Sequence, residues 1–321
     1  MKVLVSGLGL VGAYLIDQLV DLGFTEFIFH DKDLKKMRLF ETKYTGSIIV
    51  EGLHDVTADI SIIASPANTH LKSAKLLLQN GSHVVSITDS LQETEDLLEL
   101  DELANNAGLT LTIGAGFMPG LSCLLVRLAC EELDVVNNIM VAKVGTAGPA
   151  CARQHHHALN NVSLNWFDDQ WLTERGGTGR VLLWFPEPIG AKDCYRSALP
   201  SPVLIRSEFP DVARISARME ANRRDRLTSK LPMLRPPHAD GGPGAIRAEV
   251  RGSKEGSMKT VVYAVMDSPA LATAKLAAQL VDGISRGQAP LGAKGVINWD
   301  QPKDILRKLV ANGVVVSKFD S

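Results

Sequence analysis

The sequence predicts an α/β protein in which a doubly wound parallel sheet over the first third of the chain is joined to an α+β unit with a mainly antiparallel sheet. Three observations predict it. Short apolar runs alternate with helical patterns from residue 3 to residue 118. A glycine motif stands where the first strand turns into the first helix, and past residue 120 the chain becomes a series of β-like stretches separated by glycine and proline.

The elements follow in order. Val3-Leu4-Val5 reads as a buried parallel strand. Val11, Leu15, Leu19 and Leu22 then recur at helical spacing up to Gly23, where a helix needs a left-handed residue to stop. Between them lies GLGLVG, Gly7 to Gly12. Placed there, Gly7 allows the tight turn, Gly9 lets a pyrophosphate reach the backbone, and Gly12 lets helix pack on strand. The helix start at Leu10 and Val11 offers free N–H groups and a positive dipole end to phosphates. EFIFHDKD is the next strand and puts Asp31 nineteen residues after Gly12, where a carboxylate takes the ribose hydroxyls of an adenosine. A Rossmann-type dinucleotide site is expected. Asp31 favours NAD because a carboxylate repels a 2′-phosphate, while Lys32, Lys35 and Arg38 leave NADP possible; a solvated helix face also explains those cations.

SIIV (47–50) and DISIIAS (59–65) read as strands, NTHLKSAKLLLQNG as a helix ending at Gly81, and SHVVSIT as a strand. LQETEDLLELDELANNAG reads as one acidic amphipathic helix ending at Gly108, and LTLTIGAG as the next strand. Ligands of such sheets lie beyond the carboxyl ends of the strands. That nominates Ala64-Ser65-Pro66 for the cofactor, Asp89 near the reacting end, and the 114–120 turn, where Met118 is placed to line the substrate cleft. Beyond the helix LSCLLVRLACEEL, the stretches NNIMVAKVG, GRVLLWFP, SPVLIRSEF, ARISARMEA, AIRAEVRG and MKTVVYAVM read as β-like. SPALATAKLAAQLVDGI is a small-residue helix with Ser268 as cap and Pro269 in its first turn. The expected division is 1–118 for dinucleotide binding, 119–267 for substrate and dimerisation, and 268–321 for helices returning to the first domain.

At 321 residues, 45% hydrophobic and 22% charged, the composition is that of an ordinary globular chain, and a net charge of −2 gives no general attraction to nucleic acid or anionic membrane. No apolar run reaches spanning length, and with a strand expected from residue 3 neither a signal peptide nor a membrane anchor is expected. Cys123, Cys130, Cys151 and Cys194 form no C-x-x-C pair and read as ordinary buried thiols of a reducing cytoplasm.

RQHHHAL collects Arg153, His155, His156 and His157. Consecutive residues cannot converge on one ion in either strand or helix, and no further ligands at zinc spacing are evident, so no metal is expected. A histidine facing the cleft can instead move a proton during hydride transfer, with His155 the first choice and His157 the second. A substrate carboxylate calls for arginine's planar fork, which Arg153 or Arg180 can supply; Arg223, Arg224 and Arg226 are further candidates, or surface ion pairs. Asp89 is read either as an acid–base group or as the cap of the helix beginning at Leu91.

GLGLVG, ASPANTHLKSAKLLLQNGSHVVSITD, GAGFMPGLSCLLV, GRVLLWFPEPIG and the tail PALATAKLAAQLVDGISRGQAPLGAKGVINWD together resemble the saccharopine dehydrogenase-like NAD(P)-dependent oxidoreductases. This group includes lysine epsilon-dehydrogenase-like and carboxynorspermidine dehydrogenase-like members. The resemblance implies a homodimeric, two-domain dehydrogenase acting at a C–N bond of an amino acid or polyamine-like, amino or imino substrate. The chain departs from the pattern at Gly295-Val296-Ile297-Asn298, which lacks the usual acidic residue, and in its HHH stretch. Two alternatives stand beside this reading. One is a Gfo/Idh-type sugar dehydrogenase, although no lysine follows the 83–89 strand as its E-K-P turn requires; the other is a non-catalytic NAD-binding sensor.

Overall fold

The computed structural model describes residues 1–233 and 239–319. Its first sheet contains β1 (Lys2–Ser6), β2 (Glu26–His30), β3 (Ile48–Ile49), β4 (Ile60–Ile63), β5 (His83–Ser86) and β6 (Thr110–Ile113), with one late strand beside β6. The order is late strand–β6–β5–β4–β1–β2–β3, and all pairs are parallel. The strand order therefore reverses between β1 and β4, and that reversal opens a crevice at their carboxyl ends.

The helices between these strands are α1 (Leu10–Asp21), α2 (Leu34–Lys43), α3 (His70–Gln79), α4 (Leu91–Leu98) and α5 (Asp101–Asn106). Gly23 ends α1 as expected: at φ +91° it lets its own N–H reach Val20 O and that of Phe24 reach Leu19 O, satisfying two carbonyls the helix leaves open. The single helix expected over 91–108 is two. Asp101 starts the second, and its Oδ1 accepts from Ala293 N on the late strand, so a tertiary partner sets the break.

Past the wide turn Phe117–Leu121 and α6 (Ser122–Cys130), the second sheet begins with β7 (Val135–Val144). α7 (Pro149–Ala158) carries the three histidines. Then come β8 (Val162–Phe167), β9 (Gln170–Arg175), β10 (Val181–Trp184), β11 (Ala191–Tyr195), α8 (Ser201–Glu208), β12 (Arg214–Glu220), α9 (Arg223–Thr228), β13 (Gly244–Lys254) and β14 (Ser257–Asp267). The chain closes with α10 (Pro269–Ser285), β15 (Gly292–Gly295), which is the late strand of the first sheet, α11 (Pro302–Ala311) and β16 (Val315–Phe319). The order is β10-β11-β12-β7-β13-β14-β16, with the β8–β9 hairpin paired to β12. Only β12 and β7 run parallel among these pairs. Ile139 and Val141, Ile215 and Ala217, and Ala248 and Val250 alternate onto one face and are buried with α6 in the main core.

Three further segments differ from expectation. SPVLIRSEF is not a strand but α8, with prolines at its start and Leu204 wedged against Gly114 and Gly295. Burial between the sheets outweighs the β-like run of apolar residues, and a short apolar run has no period strong enough to oppose it. The β8–β9 hairpin has polar and exposed positions that hid its alternation. The closing segment divides: α10 lies beside α1 and β15 extends the first sheet, whereas β16 pairs with β14 in the second.

α10 is buried along nearly its whole length, because alanines let it approach its neighbours closely. Thr273 Oγ1 accepts from Phe117 N at 2.9 Å, and the Leu276 side chain lies against Gly120. This helix clamps the turn that links the two sheets. Leu276→Ala is expected to lower the unfolding free energy by about 2–5 kcal/mol, read from the urea midpoint; an unchanged midpoint would remove α10 from the core.

Candidate active site

One cleft of about 560 Å³ runs along the carboxyl ends of the first-sheet strands and under α7 of the second unit. Its two ends differ in chemistry.

At one end is the glycine turn. Gly7 has φ +106°, and a Cβ there would come within 2.6 Å of the Ala64 backbone, so only glycine lets the turn sit against the end of β4. A Cβ on Gly12 would meet Gly7 O at 2.0 Å, which places α1 directly on the turn. A Cβ on Gly9 meets nothing within 4 Å. Gly9 faces the open cleft, no side chain caps α1, and its first N–H groups are left for a ligand. Asp31 Oδ2 accepts from Leu8 N at 2.7 Å and Oδ1 from Asp33 N at 2.9 Å, which fixes the carboxylate beside the turn with lone pairs to spare. These features fit a dinucleotide: a glycine turn open to the cleft at Gly9, a helix dipole and an oriented acceptor for ribose. Lys32 and Lys36 line the same end.

The sequence-nominated cofactor residues Gly7, Gly9, Leu10, Val11, Asp31, Lys32, Ala64, Ser65 and Pro66 all line the cleft. Gly12 does not; it lies beneath the turn. His70 secures the 64–66 segment. Its Nε2 is 2.9 Å from Ser65 O and its Nδ1 2.9 Å from Ser86 Oγ, which fits a neutral ring donating to the carbonyl. Burial lowers its pKa and keeps the ring neutral.

At the other end, four polar side chains from three elements meet. Asp89 follows β5, Lys143 is on β7, and Cys151 and His155 lie one turn apart on α7. His155 Nε2 is 3.0 Å from Asp89 Oδ2, 2.5 Å from Lys143 Nζ and 3.3 Å from Cys151 Sγ. Lys143 Nζ is 3.8 Å from Asp89 Oδ2. Lys143 is 2% exposed and His155 7%, so neither charge nor ring is bathed in water. Burial alone would raise the Asp89 pKa, but the His155 hydrogen bond and the Lys143 charge hold the carboxyl well below the usual carboxylate range. Burial and then Lys143 push His155 down, against a smaller opposing pull from Asp89. Cys151 is pushed up to about 12 by burial and by Asp89, and at neutral pH it is a thiol, not a nucleophile.

Asp89 and His155, nominated separately, are thus brought together, and Ser90, not Asp89, caps α4 by accepting from Glu93 N. Met118 and Arg153 also line the cleft. His157 does not: it is exposed, because three consecutive residues on a helix fan around it, so that His155 faces the cleft while His156 is buried on another side against Thr228. Arg180 also lies elsewhere, paired at 2.9 Å with Asp193 and 63% exposed. Arg223 and Arg224 are exposed on α9, and Arg226 stacks on Tyr195. Lys143 and Cys151 were missed. A lysine within the apolar run Val141-Ala142-Lys143-Val144 was the available signal for the first, since a buried strand tolerates a charge only with a partner.

No family model matches the chain. Solved structures share its fold. Apo saccharopine dehydrogenase (L-Glu forming) from Saccharomyces cerevisiae is similar with a TM-score of 0.75 at 14% identity, over 99% of this chain and 100% of that one. An amine dehydrogenase from Mycobacterium smegmatis is similar with a TM-score of 0.55 at 14% identity, over 93% and 96% of the two chains. The WlbA dehydrogenase from Bordetella pertussis, solved with NADH and UDP-GlcNAcA, is similar at 0.50 and 14%, over 100% and 99%. At this identity the likeness is one of fold.

Removing the ammonium beside the imidazole removes a cause of its lowered pKa. Lys143→Met should therefore raise the His155 pKa, followed by the ring-proton shifts in an NMR titration; an unmoved pKa would mean that the ammonium does not face the ring.

Proposed function

We propose that this protein is an NAD(P)-dependent dehydrogenase or reductase that transfers hydride at a C–N bond of an amino acid or polyamine-like substrate. One observation carries the reading: the glycine turn that fits phosphates and the buried Asp89–His155–Lys143 group lie at opposite ends of one cleft. The fold shared with saccharopine dehydrogenase and an amine dehydrogenase supports it. So does the absence, after β5, of a lysine of the kind a sugar dehydrogenase places there; the chain has Thr88-Asp89-Ser90 instead.

The cofactor would be held by the Gly7–Gly12 turn, Asp31 and the 64–66 segment. When bound, it supplies the hydride acceptor or donor. The protein's own part is orientation, exclusion of water and proton movement. Oxidation of an amine carbon requires the nitrogen to lose a proton before hydride leaves; reduction of an imine requires one delivered. The cluster is built for such a transfer. His155 Nε2 can accept from the Lys143 ammonium or donate to Asp89, but it cannot do both, since it carries either a lone pair or a hydrogen. Gain or loss of one proton switches between the two arrangements with little movement of heavy atoms. Asp89 stays ionised in both and compensates the buried positive charge. Arg153 at the mouth is the candidate for a substrate carboxylate, and Met118 forms part of the apolar wall.

Within this reading residues 1–118 form the cofactor domain, 119–267 the substrate and dimerisation domain, and the chain acts as a homodimer. Among the described residues no helix is long and apolar enough to cross a membrane.

The test is cofactor reduction at the nicotinamide absorbance band with NAD or NADP and a panel of lysine, saccharopine, diamines and other amino acids. Turnover with a member of the panel is expected; tight NAD binding with no turnover across a broad metabolite set would favour a sensor. His155→Ala should lower kcat by about 10²–10⁴-fold with cofactor affinity retained. A fully active variant would remove that ring from the chemistry. Asp31→Ala should weaken NAD far more than NADP in calorimetric titration, and affinities for both cofactors unchanged from wild type would refute the ribose assignment.

A further inference from the structure

The proton-moving cluster has a second property that the proposed reaction does not use. Asp89 Oδ2, Cys151 Sγ and His155 Nε2 lie within 4.8 Å of one another, with edges of 3.0, 3.3 and 3.4 Å. Zinc bond lengths of about 2.0–2.1 Å to nitrogen or oxygen and about 2.3 Å to sulfur, at tetrahedral angles, put ligand atoms roughly 3.3–3.6 Å apart. The three donors are therefore within about 0.3 Å of one face of a tetrahedron. Cys151 and His155 are spaced i, i+4 on α7, which turns both to one side of the helix, and Asp89 meets them from the end of β5. All three line the cleft, so a cation has a path in and an open fourth position. A cation already sits on these donors, namely the Lys143 ammonium against His155 and near Asp89.

We propose that Asp89, Cys151 and His155 form a three-donor site for a zinc-class divalent cation, and that filling it takes the proton-moving cluster out of service. The metal bonds to the Asp89 carboxylate, to the lone pair of His155 Nε2 and to Cys151 sulfur, whose S–H bond breaks as the metal–sulfur bond forms, with the proton released to solvent. Carboxylate and thiolate together balance the two charges of the ion. Lys143 loses its place on Nε2 and turns towards the cleft. Mixed nitrogen, oxygen and sulfur donors select zinc or cobalt over magnesium or calcium.

The half of this proposal that concerns turnover rests on the catalytic reading above; the binding half does not. The experiment titrates Co²⁺ into the intact protein and follows absorbance. A thiolate-to-cobalt band in the near ultraviolet, saturating at one ion per chain and abolished by added Zn²⁺, is expected. Cys151→Ser should lose the band, while Asp89→Asn should keep it and weaken the ion by about tenfold or more. A spectrum without the band, or the same band in Cys151→Ser, overturns the site, and the wild-type spectrum alone decides this if either variant folds poorly. Zn²⁺ should then inhibit turnover in competition with the amino or imino substrate and not with NAD. Metal binding without inhibition leaves the site standing and refutes its link to catalysis, whereas absence of turnover with every substrate speaks only to the catalytic reading.

Discussion

A largely buried carboxylate governs how the two halves of this molecule meet. Asp89 follows a strand of the parallel sheet, and its partners, His155 and Lys143, belong to a helix and a strand of the other unit. An ionised carboxylate out of water is costly unless paired, and a buried lysine is equally so. Each makes the other tolerable, so the sheets are held in the one arrangement that brings the pair together. The same constraint underlies the proton movement proposed for the cluster, because groups held near their limits of solvation respond strongly to a single proton.

The glycine turn obeys a different constraint, which is space. Gly7 and Gly12 are required because backbone stands where a Cβ would go, whereas Gly9 is required by nothing within the protein itself. Its open side is what a ligand would fill. The α10 clamp on the 117–121 turn keeps the two ends of the cleft in register, and Thr273, which receives the Phe117 N–H, itself lines the cleft. A packing helix and the site thus share a residue.

Much of the first sheet was legible in the sequence because its signals are local. A buried parallel strand is an apolar run, a helix stop is a glycine at a left-handed position, and the phosphate turn is a spacing of three glycines. Asp31 followed from position alone. The second unit was less legible: the apolar run 201–209 became α8 because of what it packs on, and the β8–β9 hairpin alternates around exposed aromatic residues. Among the histidines the sequence ranked His155 before His157, and the geometry of α7 turns His155, not His157, to the cleft.

By itself the sequence determined the order of strands and helices in the first third, the turn that fits a dinucleotide, and Asp31 beside it, since each depends on neighbours along the chain. The tertiary structure alone decided that Lys143 and Cys151 join Asp89 and His155, that Arg180 does not reach the cleft, and that the last strand leaves the first sheet for the second. The physical reason is range. Backbone conformation and periodicity are set within a few residues, whereas the pairing of buried charges depends on which surfaces meet, and Asp89 and Lys143 meet only once both sheets have formed.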